Sequence, residues 1–346
     1  MSMYNNILLK IIVFSALLSS LIACSSKKGD NILKNYKLIS SGEIPLNFML
    51  GTPYQLKVLD NYLIIADRID NKILTFFDLN TGQLTKRIID IGQGPKEMLM
   101  PIYMDIDQKH NTIGILQRQS GNYSEHQLSD LLEGDVNPSN KFNLGNVEKV
   151  LKIGNNYFAE GFYPNGNIGF YNNKGDLLFV ENIFPGYLSQ IDNISDRYRL
   201  GQGEICYNEV SNTFLYASYF TGDIDFFSFS NNRLERINGF SLDNNISTRL
   251  RNNPTDVNIR QDDIEHSIDI AYTSDYFYIL YSGESMQKRQ SAKWSYILQF
   301  DTKGQFIRCY KSDRKFFNIC VTEDNSKMYA IILTDGLDYS LAEVIL

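Results

Sequence analysis

The chain has 346 residues, enough for one large domain or two ordinary ones, and 43% of them are hydrophobic, so it can bury a substantial core. A formal net charge of −7, with no run of basic residues longer than a pair, excludes an electrostatically driven nucleic-acid binder. Twenty-two Tyr and 21 Phe, set among 23 Gly and 8 Pro, suit many short strands joined by turns.

The first element is a leader. Residues 1–10 carry a single charged side chain, Lys10, and 11-IIVFSALLSSLIA-23 is an uncharged run. It is too short to span a bilayer comfortably and has the length of a signal-peptide core. The run closes on 21-LIAC-24, where Ala before Cys, with Leu three positions upstream, resembles the lipobox of bacterial lipoproteins. That resemblance implies cleavage before Cys24 and acylation of its thiol and new amino group. A plain secreted protein, or a membrane anchor with a chance cysteine, is the other reading. Residues 24–34 read as a polar tether. Removing the leader leaves 32 basic against 40 acidic side chains. The expected location is the cell envelope, anchored by lipid. Ser25, which is not acidic, favours the outer membrane, with the side unassigned.

From residue 54 on, short apolar runs alternate with turn signals. In 56-LKVLDNYLIIADRIDNKILTFFDLNTGQLTKRIID-90 the breaks fall at Asp60-Asn61, Ile69-Asp70-Asn71 and Asn80-Thr81-Gly82. Four strands fit, at 54–60, 62–67, 72–79 and 83–90, and their tight connections imply an antiparallel meander. The unit recurs five more times with drift, beginning near residues 102, 147, 204, 268 and 317. Asn80-Thr81-Gly82, Asn173-Lys174-Gly175 and Thr302-Lys303-Gly304 each follow a third strand and put Gly where a tight turn wants positive φ. The sixth unit has three strands, and 35–40 near the amino end is the expected fourth. The fold class is therefore all-β: a six-bladed β-propeller of four-stranded antiparallel blades over 35–346, closed by an N-terminal strand. Two segments depart from the repeat. Residues 124–133 predict a short helix starting at Ser124 and ending at Gly134, and 241–266 predict a polar, partly helical insertion.

Several stretches carry a family resemblance. Asp67, Asn71, Lys72 and Ile73 stand where the NHL-type repeat places an Asp ending one strand and an Asn-x-basic-Ile group starting the next. Together with the lipobox, 92-GQGPKE-97, 276-YFYILYSG-283 and 299-QFDTKGQFIRCYK-311, this resembles the TolB-like six-bladed propeller lipoproteins of Gram-negative envelopes. The resemblance implies the fold and the envelope address and carries no agreed activity.

The glycines of 91-IGQGPKEMLMP-101 invite a phosphate-loop reading, but Pro95 follows the second Gly, no Ser or Thr follows Lys96, and a strand comes next. A blade corner is expected there, and again at 200-LGQGEI-205. No catalytic residue, metal ligand or cofactor is assigned. The acidic pairs Asp105/Asp107 and Asp223/Asp225, and the cluster Asp262/Asp263/Glu265, leave open a divalent cation. Cys309 and Cys320 either form a disulfide or stay as buried thiols. Second-to-third strand loops and blade junctions emerge on one end of a meander propeller, which makes Arg68, Gln93, Lys96, Arg118, Tyr163 and Tyr219 the expected binding face. The leading functional expectation is a non-enzymatic module binding a protein, peptide or glycan. The alternatives are a propeller hydrolase or lyase with a divalent cation in its channel, and an assembly factor for envelope complexes.

Overall fold

A computed structural model describes residues 32–242 and 245–346; the leader, Cys24 and the tether up to residue 31 lie outside them. Six antiparallel sheets follow one another along the chain. Their first strands are Pro53–Leu59, Ile102–Asp107, Val147–Ile153, Gly203–Asn208, Ser267–Tyr272 and Asn318–Val321. Each packs beside the next and the last packs beside the first, so the sheets are blades around an axis.

The second strands explain the apolar runs of the sequence. Tyr62–Ile69, Thr112–Gln117, Thr213–Ser218 and Tyr276–Tyr281 are buried almost throughout, because both faces of a blade pack against neighbours. The core is accordingly a ring of interblade layers. Blades three and four share an aromatic one, in which Phe158 meets Phe214 and Phe229 edge to face. The three expected turn glycines, Gly82, Gly175 and Gly304, all have φ between 66° and 82°.

Closure comes from the amino end, one segment later than expected. Ser41–Ile44 pairs antiparallel with Tyr339–Ile345 and completes blade six. Tyr36–Ile39, within the expected closing stretch, instead adds a fifth, parallel strand to blade five along Phe306–Ser312. Both are four-residue strands separated by Ser40, so one extended run bridges two blades. Asp313 fixes the crossing by accepting from the Ser41 N–H at 3.1 Å and the Ser41 hydroxyl at 2.7 Å. The end of the tether is docked: Ile32 and Leu33 pack on the layer between blades four and five.

Two further expectations change. The helix spans Leu128–Glu133, and Ser124 lies in the strand Asn122–Gln127, because 122–127 pairs in full with the second strand of blade two. Only Gly134, left-handed at φ 102°, ends the helix as foreseen. Cys206, Cys309 and Cys320 are free and buried; Cys309 belongs to the layer between blades four and five and Cys320 to that between blades six and one. The insertion contains the helix Asn245–Asn252, and Arg249 on it forks onto buried Asp263 at 2.7 and 3.0 Å.

Candidate functional site

The inner strands expose their edges to the axis, and side chains bridge the gaps between them. Gln55 accepts from the Met104 N–H at 2.7 Å, and Asp105 from the Lys152 N–H at 2.8 Å. Lys149 donates to the Gly203 carbonyl, and Asn208 to the Thr273 carbonyl at 2.8 Å. Asp269 accepts from the Ile319 N–H at 2.8 Å, and Asn318 donates to the Tyr54 carbonyl at 3.2 Å. One such bond joins every neighbouring pair of blades around the axis, satisfying backbone groups that no strand pairs.

The junctions and the second-to-third strand loops share one end of this ring. Arg118 donates its N–H to the Pro101 carbonyl, Phe162 to Asn146, and Tyr219 to Gln202, each linking a loop to the junction of its own blade. In blade one the link is a side chain: buried Asp67 accepts from the Gly51 N–H with both oxygens at 3.0 Å. A Cβ on Gly51 would stand 2.2 Å from the Arg68 carbonyl, so Gly is required at that crossing. The Asp of the NHL-like pattern is thus a clamp on the entrance to its blade, and Lys72 of the same pattern pairs with Asp90 at 2.8 Å.

Of the six residues expected on this end, two meet. Arg118 and Tyr219 line a cavity of about 180 Å³ with Glu148, Lys149, Glu160 and Glu204. Arg118 Nε donates to Glu148 at 2.6 Å. The Tyr219 hydroxyl bonds Glu265 and accepts from Arg289 at 3.1 Å. Arg68, Gln93 and Lys96 are exposed around blade one and its corner, away from the cavity. Tyr163 is not on the face. It is buried, donating to the Ala159 carbonyl and meeting the Tyr171 hydroxyl, its ring lying over Gly169, where a Cβ would come within 2.5 Å of its oxygen.

Sequence reasoning missed the acidic half of the cavity. Lys149 and Glu160 are cross-strand partners in blade three. Lys149 Nζ is 2.8 Å from Glu204 and 3.7 Å from Glu160, so Glu204 is its better partner. Burial pulls the Lys149 ammonium down, but Glu204 and Glu160 outweigh it and leave the group raised. Glu160 is only 1% exposed, and its Oε1 has no hydrogen-bond partner. Burial pushes its carboxyl up to about 7, with Lys149 opposing and Glu204 reinforcing the rise. The available signal was a charged residue inside the apolar run 157-YFAEGFY-163.

A family profile described as TolB-like 6-blade propeller-like matches residues 34–324. The chain belongs to this TolB-like propeller family. No curated protein matches it. Among solved structures, a member of the DUF4221 family from Bacteroides vulgatus is similar at TM-score 0.61 and 11% identity, covering 89% of this chain and 98% of that one. The β-propeller domain of Myceliophteria thermophila Cps50 (Swd1) gives TM-score 0.50 at 10% identity, covering 87% and 99%. At such identities the likeness is one of fold.

The opposite mouth of this TolB-like propeller is wider. The first-to-second strand turns surround a bowl of about 360 Å³ walled by Ile106, Tyr207, Val210 and Tyr272. Lys152 crosses its edge, 3.3 Å from Asp107 and 3.1 Å from Glu125, and His110 is 2.7 Å from Asp107. Burial raises the Asp107 carboxyl, but the His110 bonds and the Lys152 charge outweigh it and leave it below the usual range.

The acidic pairs are taken up internally. Asp105 and Asp107 are bound as described; Asp223 accepts from Tyr187, Asp225 from Arg236, Asp263 from Arg249 and Glu265 from Tyr219. Among the described residues no three His, Cys, Asp or Glu side chains are grouped to hold a metal ion. The Gly-rich corner also serves itself: Glu97 accepts from the Gly94 N–H at 2.8 Å, where an anionic ligand would otherwise bond.

Proposed function

We propose that this TolB-like propeller is a lipid-anchored binding module of the cell envelope, held through Cys24 at the outer membrane. Its protein, peptide or glycan ligand places a cationic, hydrogen-donating group in the junction-end cavity. The observation that carries this reading is the Glu160 carboxylate oxygen, buried in the cavity wall and without a partner. Once Glu160 is ionised, above about pH 7, three carboxylates, Glu148, Glu160 and Glu204, face two cations, Arg118 and Lys149, so the cavity has room for one more positive charge, which would itself favour that ionisation. Tyr198 and Tyr219 add aromatic faces to its lining.

A screen of amine-bearing fragments, glucosamine and glycinamide among them, against their neutral counterparts tests this by thermal shift. Amines raise the melting temperature of the wild type and lose that effect in Glu160→Gln. Equal shifts for amines and neutral fragments would remove the proposal. The second reading places the ligand in the bowl, which is favoured by twice the volume and by its aromatic and aliphatic walls. Binding lost in Tyr272→Ala but kept in Glu160→Gln would select it. For the hydrolase or lyase alternative with a divalent cation, no three His, Cys, Asp or Glu side chains among the described residues are grouped to hold a metal ion.

A further inference from the structure

Acyl chains fix a protein to a bilayer without fixing how it sits. We propose that the outer edge of blade five, around Trp294, Tyr36 and Lys311, is a second membrane contact that lays the propeller rim-on against anionic phospholipid. This rests on the lipid-anchored reading above.

Charge gives the first argument. Residues 286–315 hold eight Lys and Arg against two Asp, in a chain whose net charge is −7. The segment 24–37 that leads to the same edge holds four Lys against one Asp. Arg289 and Arg314 of that stretch pair with Glu265 and Glu43, which leaves Lys311 over the Trp294 ring, exposed Lys293 next to it in sequence and the lysines of the tether as the cations an anionic surface would attract.

Side-chain type gives the second. Lys311 Nζ lies 4.0 Å over the Trp294 ring, with Tyr36 at 5.1 Å and Tyr296 at 5.7 Å. Pairing sets Leu38 and Tyr296 on either side of Lys311, and strand alternation puts Tyr36, Leu38 and Ile307 on that same face. Their exposures are 40% for Tyr36, 69% for Leu38, 41% for Ile307 and 37% for Trp294. Aromatic rings with a polar edge, exposed aliphatics and a long-stemmed cation are what a headgroup boundary favours, whereas a purely electrostatic patch would lack the apolar members. The flanking Lys288 and Lys293 are exposed.

Chain connection gives the third. Ile32 and Leu33 pack on the layer between blades four and five, four and three residues before Tyr36. Only seven residues separate Ile32 from Cys24, and the Cα steps between the two span at most about 28 Å when extended. An acylated Cys24 would hold this edge within that distance of the bilayer and raise its effective concentration there. Attachment by the rim also leaves both axial mouths open to ligand.

Trp294 is the only tryptophan in the chain, so its fluorescence reports this edge alone. The lipidated full chain is reconstituted into vesicles of phosphatidylcholine, with or without phosphatidylglycerol, carrying brominated acyl chains, and recovered by flotation. In anionic vesicles Trp294 is quenched at least about twofold more than in neutral ones. Leu38→Glu, at a site too exposed to disturb folding, floats equally well and loses the quenching. A wild type that floats but is quenched alike in both vesicles, or not at all, overturns the rim-on contact and leaves the anchor standing. Cys24→Ser is expected not to float, and a wild type that floats no better than this variant overturns the anchored reading itself.

Discussion

Replacing Glu160 by Gln isolates the cost of one buried carboxylate. The amide keeps the shape of the side chain and cannot ionise. In the wild type the Glu160 carboxyl is raised from 4.5 to about 7, chiefly by burial. The folded state therefore holds a proton that the unfolded state has released over that interval, and stability falls as pH rises from about 4.5 through about 7. A rise of about 2.5 units at about 1.4 kcal/mol each sets an upper value of about 3–4 kcal/mol above pH 8. Lys149 does not cancel this, because it sits 2.8 Å from Glu204 and 3.7 Å from Glu160. Denaturant unfolding of the purified protein at pH 5, 6.5 and 8.5 measures the effect. Glu160→Gln stays within about 1 kcal/mol of the wild type at pH 5 and exceeds it by about 3 kcal/mol at pH 8.5. Other buried carboxyls contribute equally to both proteins and drop out of the difference. A variant less stable than wild type at pH 8.5, or a difference that ignores pH, would show that the ionised Glu160 is well paired and would refute the reasoning.

Asp67→Ala removes the acceptor that holds the Gly51 N–H and should cost about 2 kcal/mol, read as a lower denaturation midpoint at unchanged slope. Asp313→Ala frees Ser41 and should release the amino-terminal strands first, seen as faster proteolysis before residue 45 while blades one to four keep their hydrogen-exchange protection. Cys206, Cys309 and Cys320 should resist a thiol reagent in the native protein and all react once it is unfolded. Burial pushes the Cys309 thiol up to about 12 and raises the other two as well. Labelling of any of the three at native pH would contradict their burial.

The blades were legible in the sequence because their signals are local. A strand buried on both faces must be an apolar run, and a tight turn after a third strand must tolerate positive φ, which is why Gly82, Gly175 and Gly304 could be placed by spacing. Errors arose where local signals tie. Residues 36–39 and 41–44 are equally short and equally strand-like, and only pairing with Phe306–Ser312 or Tyr339–Ile345 separates them. Ser124 has cap chemistry, but a complete ladder of partners in blade two outweighs it. The site was less legible still, because it joins residues distant in sequence. Glu148 lies 30 residues from its partner Arg118, and Glu265 lies 46 from Tyr219. Tyr163 resembles a rim anchor until Gly169 on the neighbouring strand supplies the vacancy that its ring fills.

Perturbed carboxyls near the axis need not mean function, and the ring of interblade bonds separates the two cases. Asp105 and Asp269 are both pushed up to about 6 by burial. Each accepts a backbone N–H from the next blade, from Lys152 and Ile319, so closing the ring accounts for their position. Lys149, Gln55, Asn208 and Asn318 serve the other four gaps, and no gap is left for Glu160 to close. Its one ion pair is the looser contact with Lys149 of its own blade, at 3.7 Å, while its other oxygen is without a partner and adjoins a cavity that Arg118 and Tyr219 also line. If Glu160 were structural like the two aspartates, replacing it would break a contact between blades. Because it makes none, Glu160→Gln should leave the fold intact, relieve the cost of ionising this carboxyl at high pH and change what the cavity accepts.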